Sequence, residues 1–367
     1  MRTPTKILHV IPTTSYGGIS SMVMNLYRKV DTNKVQFDFI TFNDGPLKEE
    51  ILNKGGKIFK IPYIKSDGPF THVNRVFKVC KENGPYKAIH VHHGYKSGFS
   101  LFAARLAGIK QRICHIHTSD VEQKWQRKYL VFLKNLSIIN ATKLVACGDD
   151  AGSFLFGNRS YEILTNAIDI EKYTNLSQYD SINYKRLFQI NSDLVIGHVG
   201  RFSEVKNHSF IIEVAESLCR ITDNFKIVLV GDGPLKREIE GKIKERGLSD
   251  KFVLTGLRSD IPELMNMFNV LIFPSHFEGV PVSLLEAQVS DVPCVVSSGI
   301  SKETDINNGS ITFLDLSKGP DTWADCLIKM SKHQKEGKPK AAEALSAKGY
   351  SLKDNITRLM KMYDVKY

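Results

Sequence analysis

The 367-residue chain has no long hydrophobic run. No stretch approaches the ~18 consecutive apolar residues that a membrane-spanning helix needs. The segment Met1–Thr5 leads directly into a short apolar run, without the longer hydrophobic region and cleavage site of a signal peptide. The six cysteines are scattered and form no C-x-x-C pair, which favours reduced thiols. We therefore expect a cytoplasmic protein.

The sequence also lacks the common motifs for dinucleotides and metals. It contains no Walker A sequence and no G-x-G-x-x-G after its first apolar run, which disfavours a nicotinamide-dependent dehydrogenase. It contains no H-E-x-x-H and no D-x-D pair of carboxylates for a divalent metal. We therefore expect no metal and no other cofactor.

The positive charge of the chain is unevenly distributed. The net charge is +11, and residues 1–170 carry all of it, with 24 Lys and Arg against 13 Asp and Glu. Residues 171–367 contain 26 residues of each sign. The asymmetry indicates two domains with different partners, although an unevenly solvated surface is an equally simple interpretation. No aromatic and basic residues interleave as in nucleic-acid binders, so we expect no nucleic-acid partner.

Short β-branched runs alternate with amphipathic helical patterns along both halves of the chain. Predicted strands in the first half cover 6–11, 37–42, 88–93, 112–117 and 143–148. Those in the second half cover 194–200, 226–231, 251–256, 270–275 and 293–298. Such alternation predicts α/β domains with parallel sheets. We predict two Rossmann-like domains that face each other across a cleft, 1–170 and 171–349, with a polar linker at 171–190 and a helix at 350–367.

Three loops after predicted strands could bind an anion, because ligands of open α/β sheets lie at the carboxyl ends of the strands. Gly17 and Gly18 open a helix whose N-terminus would favour negative charge. Arg201 and Lys206 follow the strand 194–199, and a guanidinium and an ammonium are both phosphate ligands. Gly231 begins a further turn into a helix. Ordinary tight turns and solvated surface charges are the simpler interpretation of each feature alone.

The segment PSHFEGVPVSLLEAQVSDVP (274–293) is the part of the sequence that most clearly indicates a binding site. Glu278 lies on the loop after a strand, and Glu286 lies about one turn into a helix that starts near Ser283. Main-chain amides of Gly279 and its neighbours would lie near that helix N-terminus. Carboxylates accept hydrogen bonds from hydroxyl groups, so the segment could bind sugar hydroxyls and phosphate oxygens together.

These residues resemble the signature of the retaining glycosyltransferases of family 4, which have the GT-B fold. The spacing of Glu278 and Glu286 in FEGVPVSLLEA matches the E-x7-E pair of that family. Its other typical features are matched, in chain order, by Gly17-Gly18-Ile19, His117, the segment 163–173, Gly200-Arg201 with Lys206-Asn207, and Gly231-Asp232-Gly233-Pro234. The match runs from about residue 6 to about residue 305. Ala167 and Gly148 depart from the usual Gly and Ser.

The resemblance implies a donor-binding site. Arg201 and Lys206 would bind the donor diphosphate, Glu286 the nucleotide ribose, and Glu278 hydroxyls of the transferred sugar. His117 would lie over that sugar, although neighbouring histidines make a structural role the simpler alternative. The other implied donor-binding residues surround the phosphates or the base: Gly17, Gly18, Gly231, Leu257, Arg258, Gly279, Val280, Val282 and Ser283.

The resemblance also implies the reaction. The enzyme would transfer a hexose or N-acetylhexosamine from a nucleotide-sugar, in most such enzymes a UDP-sugar, with retention of configuration and without a metal. The acceptor would be a glycan or a polyprenyl-linked sugar in exopolysaccharide or capsule biosynthesis. A GT-B epimerase of nucleotide-sugars and an inactive nucleotide-sugar-binding homologue stay as alternatives.

A predicted helix at 122–139 suggests how the first domain meets its acceptor. One face would carry Trp125, Tyr129, Phe132, Leu133, Leu136 and Ile139. The opposite face would carry Lys124, Arg127, Lys128 and Lys134. We expect this basic face to bind an anionic membrane surface, so that the protein would be peripheral on the inner face of the membrane. A normally solvated helix face is an equally good interpretation.

Overall fold

The computed structural model describes residues 3–118, 127–176, 178–332 and 337–365. The chain forms two compact units, of which the first comprises Met1–Ala167 with Leu352–Tyr367 and the second comprises Ile168–Ser351. The first boundary lies three residues from the predicted one, and the C-terminal helix belongs to the first unit. In the described part of the chain, no helix is both long and apolar enough to span a bilayer.

The first unit is built on a seven-stranded parallel sheet with the order β3-β2-β1-β4-β5-β6-β7. Its strands are β1 Thr5–Thr13, β2 Val35–Asn43, β3 Ile58–Lys60, β4 Ala88–Val91, β5 Gln111–Ile116, β6 Lys143–Ala146 and β7 Glu162–Ile163. Its helices are α1 Gly18–Lys29, α2 Leu47–Asn53, α3 Ile64–Asn83, α4 Gly98–Leu106, α5 Arg127–Asn140, α6 Asp149–Phe156 and, at the C-terminus, α15 Leu352–Met362.

Alternate residues of these strands build a hydrophobic core on each face of the sheet. Ile7 and Ile11 of β1 pack with helices α1 and α15 on one face. Leu8 and Val10 pack on the other face, with residues of α3 and α4. Because both faces are covered, the strands are nearly continuous apolar runs, as buried parallel strands require.

The second unit has a six-stranded parallel sheet with the order β10-β9-β8-β11-β12-β13. Its strands are β8 Leu194–Val199, β9 Phe225–Val230, β10 Phe252–Gly256, β11 Val270–Phe273, β12 Cys294–Ser297 and β13 Ile311–Leu314. Its helices are α7 Ile170–Thr174, α8 Gln178–Leu187, α9 His208–Cys219, α10 Lys236–Glu245, α11 Ile261–Met267, α12 Val282–Val289, α13 Gly319–Ser331 and α14 Lys338–Ala347.

The prediction of two Rossmann-like parallel α/β sheets is therefore confirmed. The prediction of a linker at 171–190 is wrong, because this segment contains α7 and α8 of the second unit. Tyr184 of α8 donates to the Asp260 carboxylate at 2.7 Å, and Tyr173 of α7 is buried in the core. The polar composition of the segment reflects a helix that covers the core with only a few side chains.

Candidate active site

Lys206 and Glu278 form a close ion pair at the carboxyl ends of β8 and β11. The Nζ atom of Lys206 donates to the two oxygens of the Glu278 carboxylate at 2.6 and 2.8 Å. Only 15% of the Lys206 side chain and 20% of the Glu278 side chain are exposed. The ammonium also lies 4.5 Å from the centre of the Phe273 ring, in a cation–π contact. The two predicted site residues are thus direct neighbours, with Phe273 as a third member that the sequence did not indicate.

The loops that carry this pair are tied together by main-chain and side-chain hydrogen bonds. The amide of His276, in the loop after β11, donates to the carbonyl of Val205 at 2.9 Å. Asn207 has a left-handed backbone with φ 55°, and its side-chain amide donates to the carbonyl of Pro274 at 3.3 Å. Asparagine is one of the few residues that tolerate this conformation, so Asn207 fixes how the Lys206 turn meets the Glu278 loop.

Arg201 follows the same strand as Lys206 but differs in its surroundings. Its side chain is exposed, and it makes no hydrogen bond or ion pair with the described residues. A guanidinium without a protein carboxylate keeps its charge for an anion, whereas the charge of Lys206 is largely offset by Glu278. The two predicted phosphate ligands are therefore not equivalent.

Gly231 supports the Arg201 loop through close packing of the main chain. Its φ is +141°, and a Cβ atom there would lie 2.0 Å from the Gly200 carbonyl oxygen. A Cβ at Gly233 would lie 2.3 Å from the Phe202 carbonyl oxygen. These contacts require glycine at both positions. The close packing of this turn against the loop after β8 is therefore enough to explain why the motif contains two glycines.

Helix α12 begins at Val282 with no side chain bonded to its N-terminus and no acidic residue in its first turn. Pro281 precedes it, while Gly279 and Ser283 are partly exposed and Val280 is buried in the core. A helix N-terminus presents main-chain N–H groups and a partial positive charge. This end of α12 lies four residues after Glu278, so the carboxylate and the helix terminus belong to one loop.

Glu286 lies one turn into α12 and contacts a residue that sequence reasoning missed. The Tyr173 hydroxyl of α7 donates to the Glu286 carboxylate at 2.6 Å. Burial raises the pKa of Glu286 to about 7, and the hydrogen bond from Tyr173 lowers it in part. Burial and the same carboxylate raise the pKa of Tyr173 well above its usual value. Tyr173 stands in the segment 163–173 that carries the family resemblance, but nothing local assigned it a partner.

Leu257 and Arg258 follow β10, where the sequence placed the base pocket. Leu257 is 48% exposed. The Arg258 guanidinium forms two hydrogen bonds with the Asp260 carboxylate and lies 5.7 Å from the Phe188 ring. Arg258 is therefore held by its own loop and by the residue that follows α8, and no hydrogen bond or ion pair joins it to Lys206 or Glu278 among the described residues.

The predicted glycines of the first unit lie at the start of α1. Gly17 and Gly18 are exposed, and a Cβ atom at either would meet nothing within 4 Å. No side chain bonds to the N-terminus of α1, while the Ser20 hydroxyl donates to the Thr13 carbonyl at 2.6 Å and fixes the helix to the end of β1. The end of α1 is thus open, as an anion-binding helix terminus needs to be.

His117 is the residue that follows β5 in the first unit. It is partly exposed, and its Nε2 atom lies 3.0 Å from Nδ1 of His92. Burial lowers the pKa of His117 to about 3, although a hydrogen bond with Asn166 raises it in part. The imidazole is therefore neutral at neutral pH, which suits a hydrogen-bonding group better than a cationic one.

Part of the predicted apolar face of the helix after His117 is exposed. Tyr129, Phe132 and Ile139 are 59%, 60% and 68% exposed, because α5 turns other residues to the core. Lys134, expected on the basic face, donates to the Phe154 carbonyl and lies 3.9 Å from the Phe154 ring. Trp125, Lys124 and the side chains of Arg127 and Lys128 lie outside the described residues.

Sequence comparisons identify both units. Residues 17–158 match the Glycosyl transferase 4-like domain, and residues 182–351 match Glycosyl transferases group 1. The chain is 40% identical over 371 residues to "Putative glycosyltransferase EpsF" of Bacillus subtilis (strain 168), which covers 98% of this chain and 96% of that protein. It is 23% identical over 341 residues to an Escherichia coli UDP-Gal:alpha-D-GlcNAc-diphosphoundecaprenol alpha-1,3-galactosyltransferase, covering 89% of this chain and 88% of that one.

Solved structures share the fold. Anabaena Alr3699/HepE, crystallised with UDP and glucose, aligns with a TM-score of 0.80 and 17% identity over 98% of this chain and 99% of that one. WaaG, a glycosyltransferase involved in lipopolysaccharide biosynthesis, aligns with a TM-score of 0.70 and 16% identity, covering 97% and 99%. The predicted GT-B fold class is confirmed by these neighbours. The chain belongs to the group 1 glycosyltransferases, with a glycosyltransferase 4-like first unit, and it is a glycosyltransferase.

Proposed function

We propose that this enzyme transfers a hexose or N-acetylhexosamine from a UDP-sugar to a glycan or polyprenyl-linked acceptor, with retention of anomeric configuration. The name of the Escherichia coli relative specifies UDP-Gal and a diphosphoundecaprenol-linked acceptor. HepE has been crystallised with UDP-glucose. Another relative is named a capsular polysaccharide biosynthesis glycosyltransferase, CapH of Staphylococcus aureus. These names support a role in exopolysaccharide or capsule biosynthesis.

The Lys206–Glu278 pair beside the start of α12 is the observation that carries this proposal. Breaking the bond between the sugar and the diphosphate leaves negative charge on the diphosphate. Lys206, Arg201 and the N–H groups at the start of α12 are the groups suited to stabilise that charge. Because these groups supply positive charge, we propose that the reaction needs no metal. Glu278, held by Lys206, would accept hydrogen bonds from hydroxyls of the transferred sugar.

Retention follows, in this proposal, from attack of the acceptor on the face from which the diphosphate departs. Glu278 is bound at both oxygens by Lys206, so its carboxylate is engaged rather than poised as a nucleophile. The neutral His117 would contact the transferred sugar by a hydrogen bond. Both residues then orient the sugar, and neither forms a covalent intermediate with it.

The proposal also includes binding of the first unit to an anionic membrane surface. The contact differs from the basic helix face that the sequence led us to expect. The first unit, counted as 1–167 with 352–367, contains 28 Lys and Arg against 14 Asp and Glu. The exposed Tyr129, Val131, Phe132 and Ile139 give α5 an apolar outer face. Apolar contact together with attraction to anionic lipid is how interfacial helices bind membranes.

Flotation with liposomes tests the membrane contact. Wild-type protein should float with liposomes of anionic lipid at low salt, and Phe132→Asp should reduce the floating fraction severalfold. The matched control is Ile221→Asp, since Ile221 is 51% exposed in the second unit. Equal flotation with neutral liposomes, or an equal loss in both variants, would contradict this mode of contact.

Turnover with a panel of nucleotide-sugars tests the transfer itself. Purified enzyme with a lipid-linked acceptor should release UDP in the presence of a chelator, and NMR of the product should show the donor's anomeric configuration. Lys206→Ala and Glu278→Ala should each lower kcat by about 10²–10³, as for the loss of a group that stabilises a developing anion. Lys242→Ala, which removes a surface ion pair with Glu238 on α10, is the control. Wild-type rates in both site variants would refute the site, and epimerised sugar without transfer would refute the reaction.

A further inference from the structure

Six polar aromatic side chains lie together in the core of the first unit, on the face of the sheet that α15 covers. They are His9 of β1, His90 and His92 at the end of β4, His115 and His117 at the end of β5, and Tyr363 just after α15. Strand β4 lies between β1 and β5, and residues two apart in a strand point to the same face. All except His117 are at least 98% buried.

These side chains form one continuous chain of hydrogen bonds. In order, they join His117 Nε2 to His92 Nδ1 at 3.0 Å, His92 Nε2 to His9 Nδ1 at 3.1 Å, His9 Nε2 to Tyr363 Oη at 3.2 Å, Tyr363 Oη to His90 Nδ1 at 2.7 Å, and His90 Nε2 to His115 Nδ1 at 3.2 Å. The Tyr363 hydroxyl thus connects two histidine segments. Each imidazole inside the chain uses both of its ring nitrogens.

The position of Tyr363 is fixed by contacts of the C-terminal segment. The Asn355 side chain of α15 donates to the Thr165 carbonyl at 2.8 Å, and Asp364 pairs with Lys87 at 2.9 Å. Tyr363 itself is fully buried, and burial raises the pKa of its hydroxyl well above the usual value. The hydroxyl therefore keeps its proton and can accept one hydrogen bond while donating another.

Every imidazole of the chain is neutral at neutral pH. Burial lowers the pKa of His9 and of His117 to about 3. Burial and neighbouring imidazoles lower the pKa values of His90, His92 and His115 well below the usual value. A neutral imidazole has one N–H donor and one acceptor nitrogen. All links of the chain can be satisfied together only when every ring donates in the same direction.

The Tyr363 hydroxyl therefore couples the tautomers of the two histidine segments. If His115 has its proton on Nε2, the same nitrogen carries the proton in the other four rings, and if His115 has it on Nδ1, the others follow. Neither end of the chain, Nε2 of His115 or Nδ1 of His117, makes a hydrogen bond of normal geometry with the described residues. All five rings thus share one of two arrangements, and His117 takes the tautomer that the chain sets.

We propose that Tyr363 is a positioning residue for the transfer reaction: through His9 and His92, it couples His117 to His90 and His115 and holds the imidazole of His117 in a single tautomer. Nδ1 of His117 makes no hydrogen bond of normal geometry with the described residues, although the Asn166 side chain lies close enough to raise the pKa. Nδ1 is therefore the ring nitrogen that can form a hydrogen bond with a sugar hydroxyl, and the tautomer decides whether it accepts or donates that bond. The catalytic consequence rests on the role proposed above for His117, whereas the tautomer itself does not.

Two other uses of the same histidines fit the geometry less well. A proton conductor needs an exit, but this chain ends at the buried imidazole of His115. Two sets of three histidines could also hold a metal, namely His9 with His90 and His92, and His92 with His115 and His117. Metal ligands must all turn lone pairs towards one ion, whereas these nitrogens are already matched as donor and acceptor.

Imidazole nitrogen NMR of the ¹⁵N-histidine-labelled enzyme tests the inference, with the His117 signals identified by their loss in His117→Gln. Long-range ¹H–¹⁵N correlations distinguish a ring protonated on Nε2 from one protonated on Nδ1. Wild type should show His117 with its proton on one ring nitrogen alone. Tyr363→Phe removes the hydroxyl that joins His9 to His90, so His117 should become a mixture of both tautomers. The control is Tyr27→Phe, because Tyr27 is buried on the same face but bonds to Gln36 and Lys54.

The rate provides a second measurement that must agree with the first. In Tyr363→Phe, kcat should fall by the fraction of molecules that leave the wild-type tautomer of His117, about twofold for equal populations, with little change in KM. An unchanged His117 tautomer in Tyr363→Phe, an equal shift in Tyr27→Phe, or metal-type ¹⁵N shifts with stoichiometric bound metal would overturn the inference. A shifted tautomer with unchanged kcat would support the control of the tautomer by Tyr363 and refute the proposed role of His117.

Discussion

Donor affinity should depend on pH through the carboxyl group of Glu286. Burial raises the pKa of Glu286 to about 7, and the proposed role of this group is to accept hydrogen bonds from the ribose hydroxyls. An ionised carboxylate has more lone pairs to offer than a protonated one, which must also donate. Binding is therefore expected to favour the ionised form, to be strong above pH 7 and to weaken as the pH falls through 7.

The size of the effect follows from the titration curve. With a pKa of about 7, roughly nine-tenths of the free enzyme is ionised at pH 8 and roughly one-tenth at pH 6. If the ionised form alone binds, the apparent Kd rises by the inverse of that fraction, so about tenfold between pH 8 and pH 6. At pH 7, binding should release about half a proton for each donor bound.

Calorimetry with a UDP-sugar measures both quantities, and buffers of different ionisation enthalpy report the protons released. A UDP-sugar is preferred to UDP because its phosphates do not titrate near neutral pH. Glu286→Gln should bind more weakly at pH 8 and show almost no pH dependence. The control is His276→Gln, which removes the exposed imidazole of the loop between β11 and α12. A tenfold pH dependence that persists in Glu286→Gln, or a flat profile in wild type, would refute the assignment.

Two further predictions concern the loops of the second unit. Gly231→Ala should lower the free energy of unfolding by about 2–4 kcal/mol, because its Cβ would lie 2.0 Å from the Gly200 carbonyl oxygen at a φ of +141°. The control, Gly241→Ala on α10, should instead raise the free energy of unfolding by up to about 1 kcal/mol. Chemical denaturation measures both changes, and equal effects of the two substitutions would contradict the packing argument. A double-mutant cycle of Lys206→Ala and Glu278→Ala should give a coupling of about 1–3 kcal/mol in unfolding, and additive losses would show that the ion pair does not stabilise the loops.

The central strands of both sheets could be predicted from sequence, whereas three of the four edge strands could not. A strand such as β1 is buried on both faces, so its apolar residues form an uninterrupted run that no other element explains. The strands β3, β7 and β13 have three, two and four residues and lie at or near sheet edges. Their few partly exposed residues produce no distinctive pattern. The helices α7 and α8 escaped prediction for a similar reason, since a polar helix that covers a core with few side chains resembles a linker.

The candidate site was predictable as a set of residues but not as a set of contacts. Motif spacing named Lys206, Glu278 and Glu286, because each belongs to a short segment with its own pattern. Their partners come from elsewhere: Glu278 is 72 residues from Lys206, and Tyr173 is 113 residues from Glu286. Only the order of strands in the sheet brings such residues together, and no local rule contains that order. The same holds for Tyr363, whose helical pattern predicts α15 but not the imidazoles that its hydroxyl joins.

The charges of the second unit show why the contacts matter for the proposed donor site. The unit 168–351 contains 22 Lys and Arg against 25 Asp and Glu, so its overall field does not attract a diphosphate. The attraction must come from groups within a few ångströms, and among these the charge of Lys206 is offset by Glu278. In the proposed site, Arg201, which has no carboxylate partner in the described part of the chain, and the N-terminus of α12 would therefore be the main sources of positive potential. Lys206 would also orient Glu278, so that Arg201 would attract the donor while Lys206 would in addition arrange the group proposed to bind the sugar.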